Sequence, residues 1–99
     1  MRKEDVLRIL AENRPRLRDE FFVKSLSLFG SVARDESTGA SDVDLLVEFE
    51  EGARIGLFAF IGLQQFLQEV LGCRVDLGTA DTLRERIRDR VLKEAVRVA

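Results

Sequence analysis

Leu28-Phe29-Gly30-Ser31-Val32-Ala33-Arg34 and, after a polar stretch, Ser41-Asp42-Val43-Asp44-Leu45-Leu46-Val47 are the two segments on which the fold turns. The residues leading into the first, Phe22 to Phe29, alternate with Leu26 and Leu28 on one face and break at Gly30, the pattern of a strand. Glu36 to Ser41 is polar and contains Gly39, so it is expected as a surface loop. Val43 to Phe49 then reads as a second strand rich in branched apolar residues. Residues two apart on a strand share a face, so Asp42 and Asp44 bring two carboxylates side by side.

Outward from this pair, Val6, Leu7, Ile9 and Leu10 recur at helical spacing within Lys3 to Asn13, and Arg14-Pro15 stops the pattern. Leu57, Phe60, Ile61, Gln64, Leu67 and Leu71 form a stripe at spacings of three and four over a middle helix from Leu57 to Leu71, with Gly72 as its C-terminal cap. Arg74 to Leu77 reads as a brief third strand. Asp81 or Thr82 caps a last helix carrying Leu83, Ile87, Val91 and Ala95, and Val96 to Val98 closes the chain as a short final strand. Interleaved strands and helices of this kind predict an α/β (α+β) sandwich, a small mixed β-sheet with helices packed on it, formed as one domain over residues 1–99.

Composition narrows the chemistry. Charged residues are 34% and hydrophobic residues 45% of the 99, a balance suited to a water-soluble folded domain but too short a chain for a separate substrate domain. Lys+Arg at 16 against Asp+Glu at 18 gives a net charge of -2, so no binding to long nucleic acid is expected. The single cysteine, Cys73, excludes an internal disulfide. Absence of His, Tyr and Trp excludes Ser-His-Asp and Cys-His triads and histidine-ligated zinc. The most apolar stretch, Gly56 to Leu63, is far short of the roughly 20 residues of a membrane helix, and Met1-Arg2-Lys3-Glu4-Asp5 lacks the apolar core of a signal peptide. A cytoplasmic address with no membrane contact is the expectation.

What remains is carboxylate, hydroxyl and arginine chemistry. Adjacent carboxylates repel unless a cation lies between them, and Mg²⁺ favours oxygen ligands while completing its shell with water and substrate phosphate. Asp42 and Asp44 therefore point to a metal site and a phosphate-bearing substrate. The Gly30-Ser31 step, where a strand ends, offers backbone N–H groups and a hydroxyl to a triphosphate, with glycine permitting close approach. Arg34 adds a charge-assisted contact or, equally, caps the C-terminal carbonyls of a short helix starting at this step.

Gly30-Ser31, ten intervening residues and Asp42-x-Asp44 together resemble the signature of the DNA polymerase beta-type nucleotidyltransferase superfamily, and Leu28 to Val47 is most similar to the minimal nucleotidyltransferases (MNT) of prokaryotes. The resemblance continues through Leu71-Gly72-Cys73-Arg74-Val75-Asp76-Leu77, where that family carries a third carboxylate on a neighbouring strand. It implies a polymerase beta-like fold in which Asp42 and Asp44 hold two Mg²⁺ ions while Asp76 completes one site and helps deprotonate the attacking hydroxyl. It further implies ATP as the substrate, and as the partner a HEPN-domain toxin whose tyrosine is adenylylated (AMPylation), so that the chain acts as an antitoxin in a homo- or hetero-oligomer. One position departs: the family commonly has glycine after the arginine, and here Asp35 stands there.

Two other readings stay open: an antitoxin that neutralises its partner by complex formation without catalysis, and a nucleotidyltransferase acting on a small hydroxylated molecule. Arg84, Arg86, Arg88 and Arg90, interspersed with Glu85 and Asp89, read as a solvated helix face. Cys73, Phe58, Phe60 and Phe66 are expected in the core rather than in the chemistry.

Overall fold

A computed structural model describes residues 2–30, 42–79 and 96–97. The chain begins with helix α1 (Lys3–Glu12), which buries Val6 and Leu10 and carries Glu4 and Asp5 in its first turn, where acids favour the helix dipole. A second helix, α2 (Arg14–Phe21), follows directly and buries Leu17. The apolar periodicity alone predicts that the helix ends at Arg14-Pro15. Proline in the first turn gives up no helical hydrogen bond, because that N–H has no intrahelical partner, so here Pro15 starts a helix rather than only ending one. Asn13 is the joint: its side-chain Nδ2 donates to the Ile9 carbonyl at 2.8 Å, and its own carbonyl accepts from the Leu17 N–H at 3.0 Å. Phe22 leaves α2 in the left-handed region (φ 57°) and so stands outside the strand it was expected to open.

Strand β1 (Val23–Phe29) pairs antiparallel with β2 (Val43–Phe49), helix α3 (Leu57–Leu71) crosses over, and β3 (Val75–Thr79) returns parallel to β2. The two-residue β4 (Val96–Arg97) lies antiparallel to β1, giving the order β3-β2-β1-β4. This is the mixed α/β sheet that the pattern predicts. The expected last helix and the loop at 36–41 lie outside the described residues.

The two sheet faces differ in kind. Leu26 and Leu28 of β1, Val43, Leu45 and Val47 of β2, and Val75 and Leu77 of β3 are all buried and join Val6, Leu10, Leu17, Leu63, Phe66, Leu67 and Leu71 in one core under the helices. A register shift between Val23 and Ser25 lets Val23 join that face although it lies three residues from Leu26. Phe21 stacks on Phe66 with ring centroids 5.0 Å apart, and the Arg16 guanidinium sits 4.6 Å over the same ring, tying α2 to α3.

On α3 the stripe is rotated from the one expected. Leu63, Phe66, Leu67 and Leu71 are buried and Phe60 packs beside them, whereas Leu57 is 71% exposed, Ile61 39% and Phe58 91%. Phe58 is therefore not a core residue. Hydrophobicity nearly all around the first two turns of α3 left its inward side ambiguous, and packing on β3 selected the one around Leu63 and Leu67. Gly72, at φ 69°, ends the helix and donates its N–H to the Gln68 carbonyl at 2.8 Å, the capping read from the sequence.

Candidate active site

The face of the sheet opposite the helices carries the acids. Antiparallel register sets Phe29 across from Asp44, and parallel register sets Asp44 across from Asp76. Directly paired residues point to the same face on strands about 4.8 Å apart, so Asp44 and Asp76 project side by side. Asp42 immediately precedes β2, whose first residue Val43 donates its N–H to the Arg74 carbonyl at 3.0 Å, so the entry to β2 is held against the entry to β3. Asp42 and Asp76 are exposed and Asp44 is half-buried. Among the described candidates, the fold thus sets Asp44 and Asp76 across from each other, with Asp42 at the entry to β2 two residues before Asp44.

Gly30 completes the described part of this end. It follows Phe29 at φ 78°, a conformation that L side chains rarely adopt, and a Cβ added to it would collide with the Asp44 carboxylate oxygen Oδ2 and lie 3.1 Å from its Cγ. The residue is glycine because the acid occupies the space a side chain would need. Ser31 and Arg34, the other expected phosphate contacts, and Asp35 lie outside the described residues.

Carboxylate oxygens are the hard donors that Mg²⁺ takes. Among the described residues no three His, Cys, Asp or Glu side chains converge into a group that could hold a metal ion. Those present fit an ion that draws on one or two carboxylates and takes water and substrate phosphate for the rest of its shell, rather than one locked in a protein cage. Burial, with the nearby Asp42 charge adding to it, pushes the Cys73 thiol up from its ordinary value, which makes this partly buried cysteine a poor nucleophile beside the acids.

Two glutamines of α3, for which the sequence pattern predicts no role, support the site. Gln64 Nε2 donates to the Val75 carbonyl at 2.9 Å, and the Val75 N–H donates to Gln68 Oε1 at 3.3 Å. The available signal is that Gln64, one of four polar residues in LFAFIGLQQFLQEVL, falls on the apolar stripe itself, with Gln68 one turn further on.

The family model for the nucleotidyltransferase domain matches residues 5–98, nearly the whole chain. The chain belongs to this family. A protein adenylyltransferase MntA of Thermococcus cleftensis is 41% identical over 95 residues, covering 96% of this chain and 94% of that one, which places this nucleotidyltransferase among the minimal (MNT) members. A solved structure provisionally assigned as a minimal nucleotidyltransferase superposes with a TM-score of 0.78 at 40% identity, over 97% of this chain and 95% of that one. A structure of a tri-AMPylated Shewanella oneidensis HEPN toxin in complex with MNT antitoxin shares the fold, with a TM-score of 0.64 at 18% identity over 94% of this chain and 71% of that chain. Among the described residues no helix is long and apolar enough to cross a membrane.

Proposed function

We propose that this nucleotidyltransferase transfers AMP from ATP to a hydroxyl, a tyrosine in particular, of a partner HEPN-type toxin and thereby acts as its antitoxin. The observation that carries the chemistry is the register of β2 and β3, which pairs Asp44 with Asp76, beside a glycine whose missing side chain makes room for Asp44. The acceptor is supported by the adenylyltransferase relative from Thermococcus cleftensis and by the HEPN–MNT complex that shares the fold.

In this reading the acceptor oxygen attacks the α-phosphorus of ATP, its bond to phosphorus forms, the bond to the bridging oxygen breaks, and pyrophosphate leaves. Two Mg²⁺ ions, when bound, supply charge neutralisation at the attacking and leaving oxygens. Asp42 and Asp44 would hold the ions, and Asp76 would complete one site and take the hydroxyl proton as the nucleophile adds. Gly30 and Ser31 present backbone N–H groups to the triphosphate, and Arg34 adds a charge-assisted contact. These 99 residues contain no tyrosine, so a tyrosine acceptor lies outside them.

The test mixes the purified chain with Mg²⁺, α-labelled ATP and the protein encoded by the adjacent gene. An Asp42→Asn, Asp44→Asn double variant is run in parallel. Label on the neighbour that is lost in the double variant is the expected result. A tight complex to which no label moves, with any of the four nucleotides, would instead establish an antitoxin that works by binding alone.

A further inference from the structure

We infer that Gln64 and Gln68 of α3 are positioning residues for Asp76, fixing the height of its carboxylate opposite Asp44 through a two-point grip on the backbone of Val75. The inference rests on the reading of Asp76 as a metal-site residue. Among the described residues β3 is an outer strand of the sheet, paired with β2 alone. Val43 makes the ladder bond to Arg74, the residue before its register partner Val75. In a parallel pair this arrangement turns the N–H and C=O of Val75 away from β2. Left to themselves, those two groups would bind water or leave the strand edge free to shift. Here the N–H is taken by Gln68 Oε1 and the C=O by Gln64 Nε2, two half-buried amides one helical turn apart on α3.

The pair stands in for a neighbouring strand at Val75, and that residue is followed at once by Asp76. Val75 itself is buried in the core under α3, so three contacts hold it: its side chain and its two backbone groups. Asp76 is exposed, and among the described residues no hydrogen bond or ion pair of its side chain is found. Its carboxylate therefore inherits its place from the backbone of β3. An amide is needed at 64 because the Val75 carbonyl requires a donor, whereas 68 needs only an acceptor.

That asymmetry gives the test. Gln64→Glu and Gln68→Glu add the same charge one turn apart, but only the second keeps its hydrogen bond. Mn²⁺ binding to the intact chain in the presence of a non-hydrolysable ATP analogue, followed by electron paramagnetic resonance, and hydrogen exchange at the Val75 amide are read beside kcat, KM for ATP and the melting temperature. Gln64→Glu is expected to weaken Mn²⁺ binding roughly tenfold and to lower kcat by 10- to 100-fold with little change in KM, the scale on which ångström misplacement acts. Gln68→Glu is expected to stay within about threefold of the parent, because hydrogen-bond partners are conserved. Gln64→Met, which removes the donor without adding charge, repeats the comparison if the glutamate variant does not fold. Equal Mn²⁺ affinity in the two glutamate variants, or a loss confined to the melting temperature, overturns the inference. Asp76→Asn serves as the reference. If it binds Mn²⁺ as the parent does, the reading of Asp76 fails, and the positioning role falls with it for a reason separate from the behaviour of the glutamines.

Discussion

Replacing Gly30 by alanine separates the space around Asp44 from the ordinary strain of a left-handed backbone. Gly30 and Gly52 have nearly the same φ, 78° and 84°, yet a Cβ at Gly52 meets nothing within 4 Å while one at Gly30 runs into the Asp44 carboxylate. Left-handed backbone costs an L residue about 1–2 kcal/mol, partly offset by the reduced freedom of the unfolded chain. Gly52→Ala is thus expected to destabilise by about 1 kcal/mol, or roughly 4–8 °C in melting temperature for a domain of this size. Gly30→Ala adds an overpacking cost of about 1–3 kcal/mol, because Asp44 Cγ and Cβ also lie 3.1 and 3.3 Å from the new methyl and the whole side chain must rotate away. A displacement of this kind, on the order of 1 Å, lowers the rate of AMP transfer by about 100-fold, whereas Gly52→Ala leaves it unchanged. Calorimetric melting of the parent, both single variants and Gly30→Ala combined with Asp44→Ala gives the stability side. Trimming Asp44 relieves the collision, so the double variant should recover about 1–3 kcal/mol as a coupling energy. Equal melting temperatures for the two alanine variants, no coupling in the double variant and full transfer by Gly30→Ala would refute the spatial argument.

Leu67, fully buried among α3 and the sheet, is expected to cost about 2–5 kcal/mol on Leu67→Ala, whereas Phe58→Ser, at a residue 91% exposed, should stay within about 0.5 kcal/mol of the parent; chemical denaturation of both variants checks the rotated stripe on α3. Asn13→Ala removes the side-chain bond to Ile9 at the α1–α2 joint and should lower stability by about 1 kcal/mol in the same assay. The Cys73 thiol, pushed up by burial and by the Asp42 charge, binds its proton more tightly when folded. Its contribution to stability is therefore complete below the ordinary thiol value and declines as pH rises through it toward the raised one. The rate of alkylation of Cys73 should show a midpoint at higher pH in the folded chain than in urea, and a midpoint at or below the unfolded one would contradict that direction.

Much of the architecture is legible because it rests on local pattern. Alternation in Phe22 to Phe29, the branched run Val43 to Phe49 and the capped stripe ending at Gly72 each specify an element from a few consecutive residues. The spacing from Gly30-Ser31 to Asp42-x-Asp44 was enough to nominate the site. α2 was missed because proline's effect depends on where in a helix it falls, and nothing local distinguishes the end of α1 from the first turn of its successor.

Other features depended on which distant residues meet. The sequence could offer Asp76 as a third acid, but only the parallel register of β2 with β3 sets it across from Asp44 rather than one pleat away on the helix-covered face. It could mark Gly30 as permissive, while the reason that no side chain fits there is an acid 14 residues downstream. It could place Gln64 on the inner stripe of α3, and the backbone of an outer strand turned that polar side chain into a hydrogen-bonding partner. Local periodicity, capping and composition act within a turn or two of chain and so are written in sequence. Strand register, the inward side of an all-round apolar helix and the partners of buried amides are decided by packing between segments far apart in the chain, and only the tertiary structure fixes them.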